Sequence, residues 1–226
     1  MKRIIILAGL LFWTVGQFSC INSLNPLVTY KDVVKDGRLV GEWTSADRDF
    51  KIESFPESKF AQEIEKSISG NNVHTPLSGK EKTDSILYSK AYIVTYSQAN
   101  VTYSFVAALM KIDGKYFMDL YPVGIYDNDG KEVEMNKYGV EFMAAFTLAR
   151  LDISADGKNA EIRFVDGDFV RSQVEGANMR VKYESDKITG SFIITASTTE
   201  LQQFMKKYGD DSRMLSNKYD FKLSKQ

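Results

Sequence analysis

The chain has 226 residues, with 29 Lys and Arg against 30 Asp and Glu, a formal net charge of −1, one His and one Cys. Balanced charge with no basic stripe argues against nucleic acid as a partner. One histidine cannot make a two-histidine metal motif and one cysteine cannot make an internal disulfide, so neither a zinc centre nor a disulfide framework is expected.

From the start of the chain, Lys2 and Arg3 precede the uncharged apolar stretch 4–16, which ends at Gln17. The stretch is too short to cross a membrane, which takes about 20 apolar residues, and reads instead as a signal-peptide core. Cys20 follows the small residue Ser19 where cleavage would fall. This arrangement resembles the lipobox of bacterial lipoproteins, although Gln17 stands where an aliphatic residue is usual. The resemblance implies a cleaved leader over 1–19, a lipid on Cys20, and an exported protein anchored in the bacterial cell envelope. Ile21 directly after the cysteine is, by the same analogy, compatible with an outer-membrane destination. An ordinary secretory leader with an incidental thiol is the alternative. Residues 20–36 hold Asn25-Pro26 and show no period, so they read as a lipidated N-terminus and tether; residues 37–226 then form one domain.

Leu39, Gly41 and Trp43 alternate on the first expected strand, 39–44, with Trp43 as its anchor. Phe60, Ile64 and Ile68 at four-residue spacing after Pro56 suggest a short helix, followed by a polar loop over 71–82. Strands are expected at 86–97 and 101–112, joined by a short turn, and Asp113-Gly114 turns the second into 115–121. Further strands fall at 142–153, 160–165, 180–183 and 188–195, and Tyr219, Phe221 and Leu223 alternate in the last. One late helix, 198–208, carries a capping-box signal, Ser197 with Glu200, and stops at Gly209. The expected fold is all-β: an antiparallel up-and-down barrel of about 8 to 10 strands with that one helix, or else a two-sheet sandwich.

Gly41-Glu42-Trp43 resembles the G-x-W signature of lipocalin-like barrels, and the segment 194–211 resembles a block in a group of uncharacterised bacterial lipoproteins with a similar layout. These resemblances imply a lipocalin-like barrel with Gly41 and Trp43 at its floor and room for a small ligand. Lipocalin second and third motifs are not found. If the barrel is hollow, Tyr88, Tyr92, Tyr96, Tyr103 and Phe105 are the candidates to line it; if it is solid, the same residues are core.

Catalytic signals are weak. His74 sits in a polar loop, and no G-x-S-x-G elbow presents a serine to it. Asp152-Ile153-Ser154-Ala155-Asp156-Gly157 begins like a calcium loop, but Arg163 stands at the twelfth place, where the ion needs a carboxylate, so a hairpin turn is expected. Asp127-Asn128-Asp129-Gly130 reads as another turn, and Asp166 with Asp168 as turn residues without a demonstrated cleft. No catalytic residue, metal or cofactor is assigned, and the protein is not expected to be an enzyme. Two functions remain: binding of a small apolar ligand in the barrel, or an accessory lipoprotein with a solid barrel that binds an envelope protein.

Overall fold

The computed structural model describes residues 20–46, 48–62, 79–98, 101–127, 131, 145–186, 188, 190–215 and 220–226. The leader 1–19, the loop carrying His74, Ile64 and Ile68 of the expected early helix, residues 128–130 and Tyr219 lie outside them. In chain order the elements are β1 (Asn22–Ser23), β2 (Gly41–Ser45), β3 (Arg48–Ser54), α1 (Gly79–Lys90), β4 (Tyr92–Gln98), β5 (Val101–Ile112) and β6 (Lys115–Asp127). There follow β7 (Phe146–Ile153), β8 (Asn159–Phe164), α2 (Gly167–Glu175), β9 (Tyr183–Ser185), β10 (Phe192–Ile194), α3 (Thr198–Tyr208) and β11 (Phe221–Lys225).

Eight strands close into an antiparallel up-and-down barrel in the order β2-β3-β4-β5-β6-β7-β8-β11, with β11 paired back to β2 and β6 to β7. β11 fills the gap between β8 and β2, setting Leu223 beside Ala160 and Lys225 beside Trp43. Asp113 and Gly114, both at positive φ, make the tight β5–β6 turn that matches the twist of its strands. The β5–β6 register shifts between Ser104 and Phe105, whose partner is Pro122; proline has no N–H to give a ladder and is tolerated at such an irregularity.

Alternation along the strands separates two cores. Trp43, Phe50, Ile52, Tyr92, Val94, Leu109, Met118, Leu151, Ile162 and Leu223 point inward and pack as one cluster inside the barrel. Their strand neighbours, among them Met110, Phe117 and Leu148, point outward and are covered by α2, α3 and the first residues of the chain. α3 has the expected capping box and presents Leu201, Phe204 and Met205 to this outer layer. Gly209, which ends it, passes so close to Phe117 that a Cβ would lie 2.8 Å from Cζ of that ring.

Several expected boundaries are corrected. Residues 86–90 belong to α1 and not to a strand, so β4 begins only at Tyr92; Ile86-Leu87-Tyr88 has no period-2 alternation, and α1 packs Leu87 on the outer layer and Tyr88 on Phe55. Gly79 to Lys82 are likewise helical, not loop. The first strand starts at Gly41, because Gly37–Leu39 form a 3-10 turn; a second 3-10 turn, Phe55–Glu57, precedes residues 59–62, which are helical as expected. Asp166 and Asp168 begin the unexpected α2, with Asp166 capping the Phe169 N–H at 2.8 Å. The late segments 180–183 and 188–195 shrink to β9 and β10, which extend the sheet from β1 outside the barrel.

Residues 20–36 are not a tether. Ile21, Ser23, Leu27, Val28 and Val33 are all buried, β1 pairs with β7 and β10, and Val34 bridges Leu109. Side chains elsewhere hold this extended strap: Thr198 Oγ1 donates to Pro26 O, Gln202 Nε2 to Leu27 O, and Asp119 Oδ2 accepts from Val28 N at 2.8 Å. An extended strap held by non-periodic contacts carries no period for a sequence to show.

Burial pushes the Asp119 carboxyl up to about 7, against the opposing pull of the Val28 and Leu27 N–H groups. A carboxyl raised in the folded state keeps a proton that the unfolded chain has released, so stability falls as pH rises from about 4 to about 7, by up to about 1.4 kcal/mol per pH unit. Asp220, raised to about 6 chiefly by burial, acts in the same sense. Asp119→Asn is expected to flatten this fall, read as a smaller difference between urea midpoints at about pH 5 and about pH 7.5; an unchanged difference would place the titration elsewhere.

Candidate functional site

The barrel has two unlike ends. At the closed end, where the β5–β6 and β7–β8 turns lie, the strap crosses the opening. Asp36 N donates to Tyr92 Oη at 2.6 Å and Tyr92 Oη donates to Asp36 O at 3.0 Å, while Tyr116 Oη donates to Asp36 Oδ2 at 2.8 Å. Arg38 donates from Nε and Nη2 to the same carboxylate, and from Nη1 to Ser154 O. The Arg38 guanidinium, with help from Tyr116, holds the Asp36 carboxyl well below the usual carboxylate range. Burial is the main reason the Tyr92 phenol is pushed up to about 12.

Trp43 sits under this network, fully buried, with Nε1 donating to Leu39 O at 2.8 Å. Gly41 explains the spacing of the first-strand motif. Its φ of +144° disfavours any side chain, and a Cβ there would meet Lys225 Cε at 2.6 Å. Lys225 uses that space to lie over the Trp43 indole, Nζ 5.1 Å from the ring centroid, and to donate to Arg38 O at 2.9 Å.

The opposite, aromatic end gathers Tyr96, Tyr103 and Phe105 with Phe50, Phe164 and Phe221. Tyr96 stacks on Tyr103 at 4.9 Å and on Phe105 at 6.0 Å, and Phe221 packs against Phe50 at 4.8 Å and Phe164 at 5.6 Å. Arg48 lies over the Phe221 ring at 5.2 Å. Cys20 packs against this inner cluster and bridges Asp166, just beyond the end of β8. Burial, reinforced by the charges of Asp166 and Asp220, pushes its thiol up to about 11, which makes it a poor nucleophile in the folded chain.

Outside the barrel, a groove of about 580 Å³ runs between α3 and the segment after α2. Tyr183, Phe204 and Tyr208 give it aromatic walls, and Arg180, Lys182, Lys207 and Glu200 its charges. Lys182 pairs with Glu200 at 2.8 Å and is the main cause of that carboxyl lying down at about 2, seconded by the Ser197 hydroxyl. Arg180 and Lys207 form no ion pair among the described residues, so the groove keeps an uncompensated positive charge.

Of the five residues expected to line a cavity, three meet at the aromatic end. Tyr92 instead serves the closed end, and Tyr88 stands on α1 outside the barrel, stacked on Phe55 at 4.9 Å. Phe50 and Phe164 carry no sequence signal that assigns them to this cluster, whereas Phe221 carries one in its alternation with Leu223. Gly41 and Trp43 stand at the closed end, where the Lys225 side chain lies against Gly41 and over the Trp43 ring. The calcium-like stretch is the β7–β8 turn, with Gly157 at positive φ, Asp156 accepting from Ser154 Oγ and Lys158 N, and Asp152 held by Arg150 and Arg163. Among the described residues no cluster of three or more His, Cys, Asp or Glu could hold a metal, and no helix is long and apolar enough to cross a membrane.

No family model, curated protein or solved structure matches the chain. Function has to be read from the geometry.

The floor is the most sensitive part of that geometry. Trp43→Ala is expected to cost about 3–5 kcal/mol of stability, as loss of a fully buried large aromatic does. Tyr88→Ala, on the exposed face of α1, is expected to stay within about 1 kcal/mol. Chemical denaturation of the two variants beside the parent chain checks both; equal losses would mean that Tyr88 is part of the core.

Proposed function

We propose that this protein is an envelope lipoprotein, held to a membrane by lipid on Cys20, that acts by binding another envelope protein and uses its barrel as a solid scaffold. The observation that carries the binding reading is the packing of Trp43, Tyr92, Leu109 and Leu151 into one fully buried interior cluster, which turns attention from the barrel's inside to its outer surface. The groove along α3 is the binding surface on this reading. Its three cations against one carboxylate, set among Tyr183, Phe204 and Tyr208, fit an acidic segment that also brings an apolar or aromatic side chain.

The lipid rests on the leader and on the place of Cys20. A buried thiol raised to about 11 means that, on this reading, the lipid is attached before the domain folds. The intact mass of membrane-extracted protein is expected to equal a chain beginning at Cys20 plus a diacylglyceryl group. A mass retaining Met1, or a free Cys20 thiol, sinks the lipoprotein reading.

For the binding reading, a photo-crosslinking residue in place of the exposed Gln203 is expected to join one envelope protein in intact cells. Arg180→Glu with Lys207→Glu is expected to lower that yield about tenfold or more, since like charges across an interface are strongly unfavourable. An adduct insensitive to charge reversal would rule the groove out.

A second reading, a small apolar ligand at the barrel's mouth, is favoured by the half-exposed Tyr96, Tyr103, Phe105 and Phe221. A native mass spectrum showing an extra mass that vanishes on denaturation is its expected signature, and an unliganded spectrum from gently extracted protein would count against it.

A further inference from the structure

We infer that the aromatic end of the barrel, together with the tip of the β9–β10 hairpin, is the surface this protein lays against the lipid bilayer. The inference rests on the lipoprotein reading of Cys20 and adds to it an orientation that the structure imposes.

A lipoprotein on a flexible tether could turn any face to the membrane. Here there is no tether to turn on. Ile21 is buried and donates its N–H to Val165 O at 3.1 Å, and Asn22 and Ser23 are already paired with β7 and β10. The Cα of Cys20 therefore stands one peptide unit, about 3.8 Å, from a residue fixed in the wall. A lipid on its sulfur must leave from that point, and whatever surrounds the point must meet the headgroups.

Two features surround it. The first is the aromatic end itself: Cys20, beside Asp166 at the end of β8, packs against the same buried inner cluster as Tyr96, Phe105 and Phe221, and the half-exposed Tyr96 and Tyr103 with Arg48 are side chains suited to the boundary between headgroups and hydrocarbon. The second is independent of the barrel. β1 and β10 run parallel, with Asn22 beside Ile193, so Cys20 and the hairpin tip before β10 leave the same end of the sheet. That tip carries Ile188 at 97 % exposure, a large apolar side chain where turns ordinarily place polar ones. Arg171, on α2, donates to Gly190 O at 2.8 Å and holds the hairpin to the helix that starts next to Cys20. Bilayer insertion gives Ile188 the apolar surroundings that water denies it.

The test uses the full lipidated chain in vesicles of phosphatidylethanolamine and phosphatidylglycerol. With Cys20 blocked by lipid, a single added cysteine accepts an environment-sensitive fluorophore at one of three exposed positions: Ile188→Cys at the hairpin tip, Ser97→Cys at the aromatic end, or Lys158→Cys at the closed end. Nitroxide-bearing phospholipids are then added as quenchers. Quenching several-fold stronger at positions 188 and 97 than at 158 is the expected result. Equal quenching at all three, or the strongest at 158, overturns the orientation while the lipid stands. The intact mass of each sample separates the two ideas, because an unlipidated Cys20 brings down the anchor and with it the orientation.

Discussion

Closure of the sheet is the constraint on which the rest depends. An eight-stranded barrel has no free edge only if its last strand finds both neighbours, and here that strand comes from the extreme C-terminus. β11 reaches β2 and β8 at once, and its register brings Lys225 to Trp43 and Leu223 to Ala160. The same contact explains Gly41: the Lys225 side chain occupies the space where a Cβ would stand. A spacing that looks like a short motif on the first strand is thus a packing agreement with the final residues of the chain.

The second organising element is the N-terminal strap. It travels from the aromatic end to the closed end over the outer faces of β5 to β7, covers part of their outward apolar residues, and ends as a lid secured by Asp36, Arg38, Tyr92 and Tyr116. Because a strap has few partners of its own kind, its backbone groups are satisfied by side chains, with Asp119, Thr198 and Gln202 each serving one or two of them. Burying a carboxylate for this task is costly, and the raised Asp119 pKa expresses that cost. The strap also places the first mature residue on the lipoprotein reading, which turns a chemical anchor into a geometric one.

The outer layer divides structural from available surface. α3 spends one face on Phe117 and its neighbours and leaves Gln203 and Lys207 toward the groove. Barrel interior and outer layer thus supply stability without disulfides, and among the described residues the groove, the aromatic mouth and the hairpin tip are surfaces free to meet other molecules.

Local chemistry determined much of this protein. Period-2 alternation identified the β5 strand, Asp113-Gly114 turned it into β6, and the Ser197–Glu200 box with Gly209 bounded α3, because each depends on residues a few positions apart. The floor role of Gly41 and Trp43 is implied only by the lipocalin-like resemblance of Gly41-Glu42-Trp43. What depended on distant partners had no such signal. The strap lacks a period since its burial comes from residues about 90 to 175 positions away, and 86–90 are helical where Leu87 packs on the outer layer and Tyr88 on Phe55. The tyrosines at 88, 92 and 96 share a four-residue spacing yet face solvent, the closed end and the aromatic end in turn, because a helix boundary falls between the first two and strand direction separates the others. Only the tertiary structure could decide that.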